Sequence, residues 1–306
     1  MPMVRNQFPY QMDRDIDEMF MDHLMKYPSE YESVANTKNF PKGRYYVQAE
    51  ISGLGAVRAI SEGGRIEFDT PVEGHRKSVE AVKYGLGFQV TEEMMDDDFH
   101  GKTKQVAGTL ADSAKDKINV EYFSLFNDGD DTHTAWDSSY IFAAHSTLKS
   151  GDTITNKGTS ALSETTLQAA FEYFDGLVDE AGRKIKVVPD MLLVPTELRW
   201  TAARLAKQVG GISTSGTVPD LSGNMMTVNP SNGVVDPWNY MVCRYLTDAE
   251  SWFFLSKKDH QLYLLWKKKI SLKSSDDFHT GTRLYKVTTR FKPAAFDYKA
   301  VYGAFV

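Results

Sequence analysis

One cysteine, Cys243, is all that the 306 residues contain, so no disulfide can form within the chain. That usage suits a reducing compartment. Inside "YMVCRYL" the thiol reads as a small buried hydrophobe rather than a nucleophile. Long apolar runs are missing as well. The longest, such as "LYLLW", fall far short of the ~20 residues that a bilayer-spanning helix needs. The opening "MPMVRNQFPYQMDRDIDEMF" has no basic region followed by an apolar core, and is not expected to act as a signal peptide. There is no basic excess either. A net charge of -6 leaves no electrostatic footprint for sequence-specific nucleic-acid binding. No self-similar period of about 20–50 residues marks a solenoid. With 42% hydrophobic and 25% charged residues, the expectation is a soluble, intracellular globular chain.

What is present changes character along the chain. Ile16, Met19, Phe20, Leu24 and Tyr27 recur at helical spacing, which predicts a short amphipathic helix over about 13–27. Pro28 and "SEYESVANTKNFPKG" end it. "RYYVQAEI" (44–51) and "HRKSVEAVKYGLGFQV" (75–90) are rich in Tyr, Val and Phe and read as strands around a glycine-rich excursion. From about Asp97 the residues Phe99, Thr103, Val106, Leu110, Ala114, Ile118, Tyr122 and Leu125 form one helical stripe. Its helix is expected to end at "NDGDD", with Asn127 and Gly129 as left-handed caps. Ser163 reads as the N-cap of a helix burying Leu167, Ala170, Phe171, Phe174 and Val178, closed by Gly182. "IKVVPDMLLVP" reads as a buried strand, and Thr196 as the cap of a helix carrying Leu198, Ala202, Leu205 and Val209 inward. Beyond the small-residue loop "GGISTSGTVPDLSGN" come the strand candidates "YMVCRYL", "SWFFLS", "HQLYLLW", "TRLYKVTTRF" and "YKAVYGAF". In the fourth, Tyr285, Val287, Thr289 and Phe291 share one face.

Several constellations invite a chemical reading. Residues 92–98 hold five carboxylates, and Asp96, Asp97, Asp98 and His100 are ligand types for a hard cation or a hydrolytic centre. Their place at the start of the long helix favours Asp97 or Asp98 as a cap for its unpaired N–H groups. Consecutive residues point about 100° apart on a helix and converge poorly on one ion. "GLGAVR" (53–58) resembles the start of a dinucleotide fingerprint, but "SEGG" leaves no helix to supply phosphate-binding amides. "DGDDTHTAWD" (128–137) lacks Ca²⁺-loop spacing and reads as a solvated loop. His145 has no nucleophile elbow to serve and reads as a core or interface histidine. The five lysines of "KKDHQLYLLWKKK" flank a strand, favouring a solvated edge or intersubunit ion pairs over phosphate binding. No catalytic, metal-binding or cofactor-binding residue is expected.

The first ninety residues or so cannot form a core alone, because isolated hairpins and short helices are marginal in water. Yet they carry Phe8, Tyr10, Met19, Phe20, Leu24, Ile51, Ile60, Ile66 and Phe68. Apolar projections without an intrachain partner are most economically buried on other copies of the same chain.

At this point the sequence resembles the major capsid (head) proteins of tailed bacteriophages, of the Mu-like major head subunit type. The matching stretches are "EGGRIEFDTPVEG", "VKYGLGFQVTEEMMDDD", "IFAAHSTL", "LSETTLQAAFEYFDGLVDEAGRKI", "PDMLLVPTELRWTAARLAK" and "YMVCRYLTDAESWFFLSKK", in order over about 44–306. The resemblance implies an α+β, L-shaped subunit with an N-terminal arm (1–43) and an extended E-loop hairpin (44–91). A P-domain with a long spine helix (92–138), an A-domain (139–261) and P-domain C-terminal strands (262–306) would follow. Phe20, Leu24, Arg65, Ile66 and Phe68 become candidate intersubunit contacts. Asp97 and Asp98 become the spine-helix cap, and Val106, Leu110 and Ile118 its core. The implied role is a structural protein of the virion, assembled in the host bacterial cytoplasm from pentamers and hexamers into an icosahedral head. Implied partners are a separate scaffolding protein, since no such segment precedes the arm, with portal and decoration proteins and non-specifically contacted double-stranded DNA. No membrane is implied. No lysine–asparagine pair for cross-linking can be matched. The alternatives are an encapsulin-like compartment shell around a protein cargo, and a metal-dependent hydrolase.

Overall fold

The computed structural model describes residues 9–26, 28–91, 93–94, 102–209, 217–219, 225–227, 238–277 and 279–306. The chain divides into two compact units. The first takes residues 1–46, 78–123 and 263–294, and the second takes 47–77, 124–262 and 295–306.

The first unit is built on a four-stranded sheet. Its order is β1 (Asn36–Asn39), β13 (Leu262–Asp277), β14 (Thr282–Ala295), β4 (Val82–Val90). β1 runs parallel to β13, and β4 antiparallel to β14 from Arg283↔Val90 to Phe291↔Val82. Along β14 the residues Tyr285, Val287, Thr289 and Phe291 are buried, as the period of two predicts, and the alternation is lost only at the end of the strand, where Pro293, Ala294 and Ala295 are all buried. Helix α3 (Lys102–Asn127) runs unbroken past Gly108, and its first-unit part buries Ala107, Leu110, Ala111, Ala114 and Ile118. Val106 departs from expectation: it is 42% exposed, against 4% for Leu110. The true stripe runs through 107, 111, 114 and 118, and at about 100° per residue Val106 falls roughly a third of a turn off its centre. The expected caps Asp97 and Asp98, with Asp96 and His100, lie outside the described residues.

Helix α1 (Pro9–Lys26) closes this core. Phe20 packs with Leu110, Ala111, Ala114 and Val287, and Ile16 with Val90, Ala107 and Tyr285. The Lys115 ammonium donates to the carbonyl of His23 at 3.0 Å. From the short helix α2 (Glu30–Val34), the Tyr31 N–H donates to Asn119 Oδ1 at 3.1 Å.

The second unit holds a five-stranded mixed sheet. Its order is β11 (Asn239–Val242), β8 (Met191–Val194), β12 (Trp252–Leu255), β15 (Val301–Ala304), β7 (Lys157–Gly158). β15 was expected among the P-domain strands; it pairs instead with β12, Trp252↔Ala304 to Leu255↔Val301. Helices α4 (Glu164–Gly176) and α5 (Arg199–Val209) contribute Leu167, Ala170, Phe174, Ala202 and Leu205 to a core with Trp252 and Phe254. Ser163 caps α4 in a box with Thr166, which combines a 3.2 Å bond to the Thr166 N–H and a 2.8 Å bond from the Ser163 N–H. Two expected caps are corrected. Gly182 (φ 81°) turns the chain six residues beyond α4 instead of ending it. The Thr196 hydroxyl donates to Glu197 at 2.9 Å.

At the end of α3, Gly129 is not left-handed. Its role is clearance, since a Cβ there would lie 2.7 Å from the Phe142 ring. Asn127 instead reaches Tyr245 O and the Thr247 N–H at 2.9 and 3.2 Å. Two-stranded pairs complete the inventory: β2 (Tyr45–Ile51) with β3 (Glu73–Glu80), β5 (Ala144–Ser146) with β6 (Thr153–Thr155), and β9 (Thr217–Pro219) with β10 (Met225–Thr227). Residues 75–90, read as one strand, are therefore two. They part at buried Ala81 because β3 pairs with β2 whereas β4 pairs with β14. Among the described residues, no helix is long and apolar enough to cross a membrane.

Candidate assembly surface

The β2–β3 hairpin is held at its root by long polar side chains. Gln48 donates to Gln261 at 2.9 Å, and the Lys77 ammonium donates to the carbonyls of Thr134 and, at 3.0 Å, Ala295. Beyond Ile51 regular pairing stops, but cross-loop bonds step evenly toward the tip. The Ser52 N–H donates to Val72 O at 3.0 Å, and the Gly55 N–H to Asp69 Oδ2 at 2.7 Å. Arg58 pairs with Glu67 at 2.6 Å, and the turn closes with the Gly64 N–H on Ser61 O at 2.8 Å. Asp69 is also clamped by Lys149 at 2.7 Å. The Lys149 hydrogen bond, then the Gly55 N–H, push its carboxyl down to about 2. The amide that a phosphate would need at "GLGAVR" is thus already given to an internal carboxylate.

Polar clips hold the shape of this loop while its apolar side chains face outward. Phe68 is 95% exposed and Ile66 69%, and Leu54, Val57, Ile60, Val72 and Arg65 are exposed with them. Among the candidate contacts, Arg65, Ile66 and Phe68 therefore share one open loop. Phe20 does not belong with them. It is 2% exposed, inside its own chain's core, and Leu24 is half-buried against the same cluster. Their apolarity is plain in the sequence, whereas the groove that α3 and β14 offer them forms only in the fold.

The remaining candidates resolve into structural roles. His145 is buried, stacked on Tyr298 with ring centroids 3.7 Å apart, between the Asp137 carboxylate at 2.7 Å and Ile141 O at 3.2 Å. Burial alone would raise the Asp137 carboxyl; the His145 hydrogen bond and charge, with Ser139, outweigh it and hold it below the usual range. Asp130 of the "DGDD" turn pairs with Lys157 at 3.0 Å. Lys267 and Lys268 bond Gly43 O at 2.5 Å and the Thr288 hydroxyl at 2.8 Å, within their own unit. Cys243 is fully buried. Among the described residues, no group of three or more His, Cys, Asp or Glu side chains is placed to hold a metal ion. Sequence reasoning missed Gln48, Glu50, His75 and Lys77 at the hairpin root. Their partners lie far along the chain, and only a polar residue at an inward strand position could have signalled them.

Comparison with known proteins bears on the family and the fold. The sequence profile of a family described as phage capsid protein matches residues 76–304. No curated protein sequence matches significantly. Among solved structures, the capsid of a native GTA particle computed with C5 symmetry is similar at TM-score 0.57 and 9% identity, covering 89% of this chain and 88% of that one. The mature capsid of bacteriophage PhiM1 is similar at 0.55 and 7% identity, covering 91% and 87%. The holo-SrpI encapsulin of Synechococcus elongatus is similar at 0.52 and 10% identity, covering 92% and 88%. At such identities the likeness is one of fold.

Proposed function

The chain belongs to the phage capsid protein family, and from that premise we propose how this structural shell protein assembles. Copies meet head-to-tail in rings of five and six, which close into an icosahedral head around double-stranded DNA. The hairpin tip of each copy lies on a neighbour, and Ile66 and Phe68 are the apolar contacts it makes there. The observation that carries this reading is the open tip itself: aromatic and aliphatic side chains in water, on a loop whose shape is already fixed by its own polar bonds. Burying one such side chain against a neighbour is worth about 1.5–3 kcal/mol, and the closed shell repeats the gain at every copy. The net charge of -6 is compatible with a lining that does not retain packed DNA. Scaffolding, portal and decoration proteins and assembly in the host cytoplasm belong to the same proposal.

Electron micrographs and native mass measurement of the expressed full chain test it. Particles are expected, and deletion of residues 55–70 is expected to leave a folded subunit that forms none. Normal particles from that deletion would overturn the role of the tip. The likeness to an encapsulin favours a second reading, a shell around protein cargo, to which nuclease-protected DNA in particles from infected cells would put an end.

A further inference from the structure

Helix α5 carries its largest side chain outward: Trp200 is 82% exposed. Arg199 and Arg204 are exposed with it, and α5 contains no Asp or Glu. Glu197, just ahead of the helix, is exposed as well and accepts from the Thr196 hydroxyl. Helix α4 has the opposite surface. Glu172 and Asp175 are exposed toward its C-terminal end, and it contains no Lys or Arg. Beside Asp175, Gly176 is exposed, with open space where a side chain would stand. Among the described residues, no ion pair within the chain takes up Arg199, Arg204, Glu172 or Asp175. A lone exposed aromatic is ordinary on a surface. An exposed Trp between unpaired arginines, on a chain that also presents a matching acidic face, has the composition of an interface anchor.

Both helices cover one face of the five-stranded sheet, since Leu192, Val194, Trp252 and Phe254 share a core with residues of each. They lie toward opposite ends of it. α5 sits against β11 and β8. α4 packs Phe171 and Phe174 on Phe254 of β12, and Tyr173 on Tyr302 of β15. Setting either face on its own counterpart would bring like charges together, whereas α5 on α4 pairs opposite signs. Because the two faces lie toward opposite ends, a different neighbour serves each, which is a head-to-tail contact. The helix dipoles give the direction. Arg199 opens α5, at the positive end, and Asp175 stands in the last turn of α4, at the negative end. Each charge is therefore unfavourably placed on its own helix. Antiparallel apposition brings each to the favourable end of the other helix. Arg204 then lies ~7.5 Å along the axis from Arg199, and Glu172 ~4.5 Å from Asp175, a difference that long side chains close.

We propose that the α5 face of one copy docks antiparallel on the α4 face of the next, with Trp200 beside Gly176 and with Arg199 and Arg204 paired to Asp175 and Glu172. That the occupant is a second copy rests on the shell reading; the charges decide which faces meet. Trp200 is the apolar anchor of this contact, and the ion pairs at its rim set register more than strength, because water screens them.

Charge exchange on the full-length chain tests the contact, read by native mass measurement and micrographs. Arg199→Glu/Arg204→Glu is expected to lose assembled mass, and so is Glu172→Arg/Asp175→Arg, with subunit unfolding in denaturant unchanged. All four substitutions together restore opposite signs across the contact and are expected to restore assembly. Normal assembly of either reversal, or a folded fourfold variant that does not assemble, overturns the contact. Intact shells from the reversals leave the shell reading standing. Oligomers that follow the charge exchange but never close into shells support the contact and remove the shell reading. A wild-type chain that stays monomeric removes both. If a reversed chain does not fold, hydroxyl-radical labelling of the wild type decides. Trp200 and residues 168–176 are expected to lose reactivity on assembly, and unchanged reactivity overturns the contact.

Discussion

Phe20 and Phe68 are the same side chain on two segments that looked alike in sequence, and they end in opposite places. Phe20 is buried among Leu110, Ala111, Ala114 and Val287, whereas Phe68 stands in solvent on a loop tied by Asp69, Lys149, Arg58 and Glu67. The difference lies in what holds each backbone. Helix α1 is ordered by its apolar face, so Ile16 and Phe20 on that face are buried inside the chain. The hairpin tip is ordered by charged and backbone bonds, which leaves its hydrophobes free for another molecule. A surface held this way is shaped before it binds, which lowers the ordering cost of association.

The largest effect that would break this comparison is on Phe20. Phe20→Ala is expected to destabilise the isolated subunit by about 3–5 kcal/mol, measured by denaturant unfolding, with assembly lost only because the subunit is lost. A stable Phe20→Ala subunit that fails to assemble would move Phe20 back to the interface. Next comes the pair on α3. Leu110→Ala is expected to cost roughly 2–5 kcal/mol, whereas Val106→Ala should stay within about 0.5 kcal/mol. Equal costs would put the buried stripe where the sequence period placed it.

Much of the fold was legible locally. The alternation on β14, the Ser163 cap and the existence of the long helix follow from residue type and spacing alone, because each is satisfied within a few residues. The misreadings share the opposite property. Val106 fits a stripe of period 3.5 to 4 from the apolar count, but which of 106 and 107 turns inward depends on β4 and α1. The break at Ala81 and the placement of β15 depend on strands far away in sequence. The polar pairs near the hairpin root are furthest from any local pattern: Glu50 with His75 and Glu180 with Lys299 come from four separate segments, and none is apolar. On the assembly surface, the exposed tip was expected from its composition, while the bonds that shape it were not.

A smaller effect tests the tip directly. Phe68→Ala is expected to change subunit stability by no more than about 0.5 kcal/mol while lowering particle yield, read from native mass spectra. Destabilisation of the subunit would mean that Phe68 has an intrachain partner after all.

The smallest effect concerns the clip that shapes the tip. The Asp69 carboxyl is held down to about 2 by the Lys149 hydrogen bond and then by the Gly55 N–H. A depressed carboxyl contributes order that is complete above its unfolded value, about 3.9, and is lost as pH falls toward the folded one. The tip is therefore expected to loosen between about pH 4 and pH 2. Because acid also titrates other carboxylates, Asp69→Asn at neutral pH isolates the clip: the amide oxygen can still accept the Gly55 N–H, but the ion pair is gone. Residues 53–71 should then be cut faster by protease, with the rest of the unit as resistant as before. Since the pair is exposed, added salt should narrow the gap between variant and wild type. Faster cutting spread over the whole second unit would mean that Asp69 braces the fold, and the division between a core ordered by burial and a tip ordered by charge would fail.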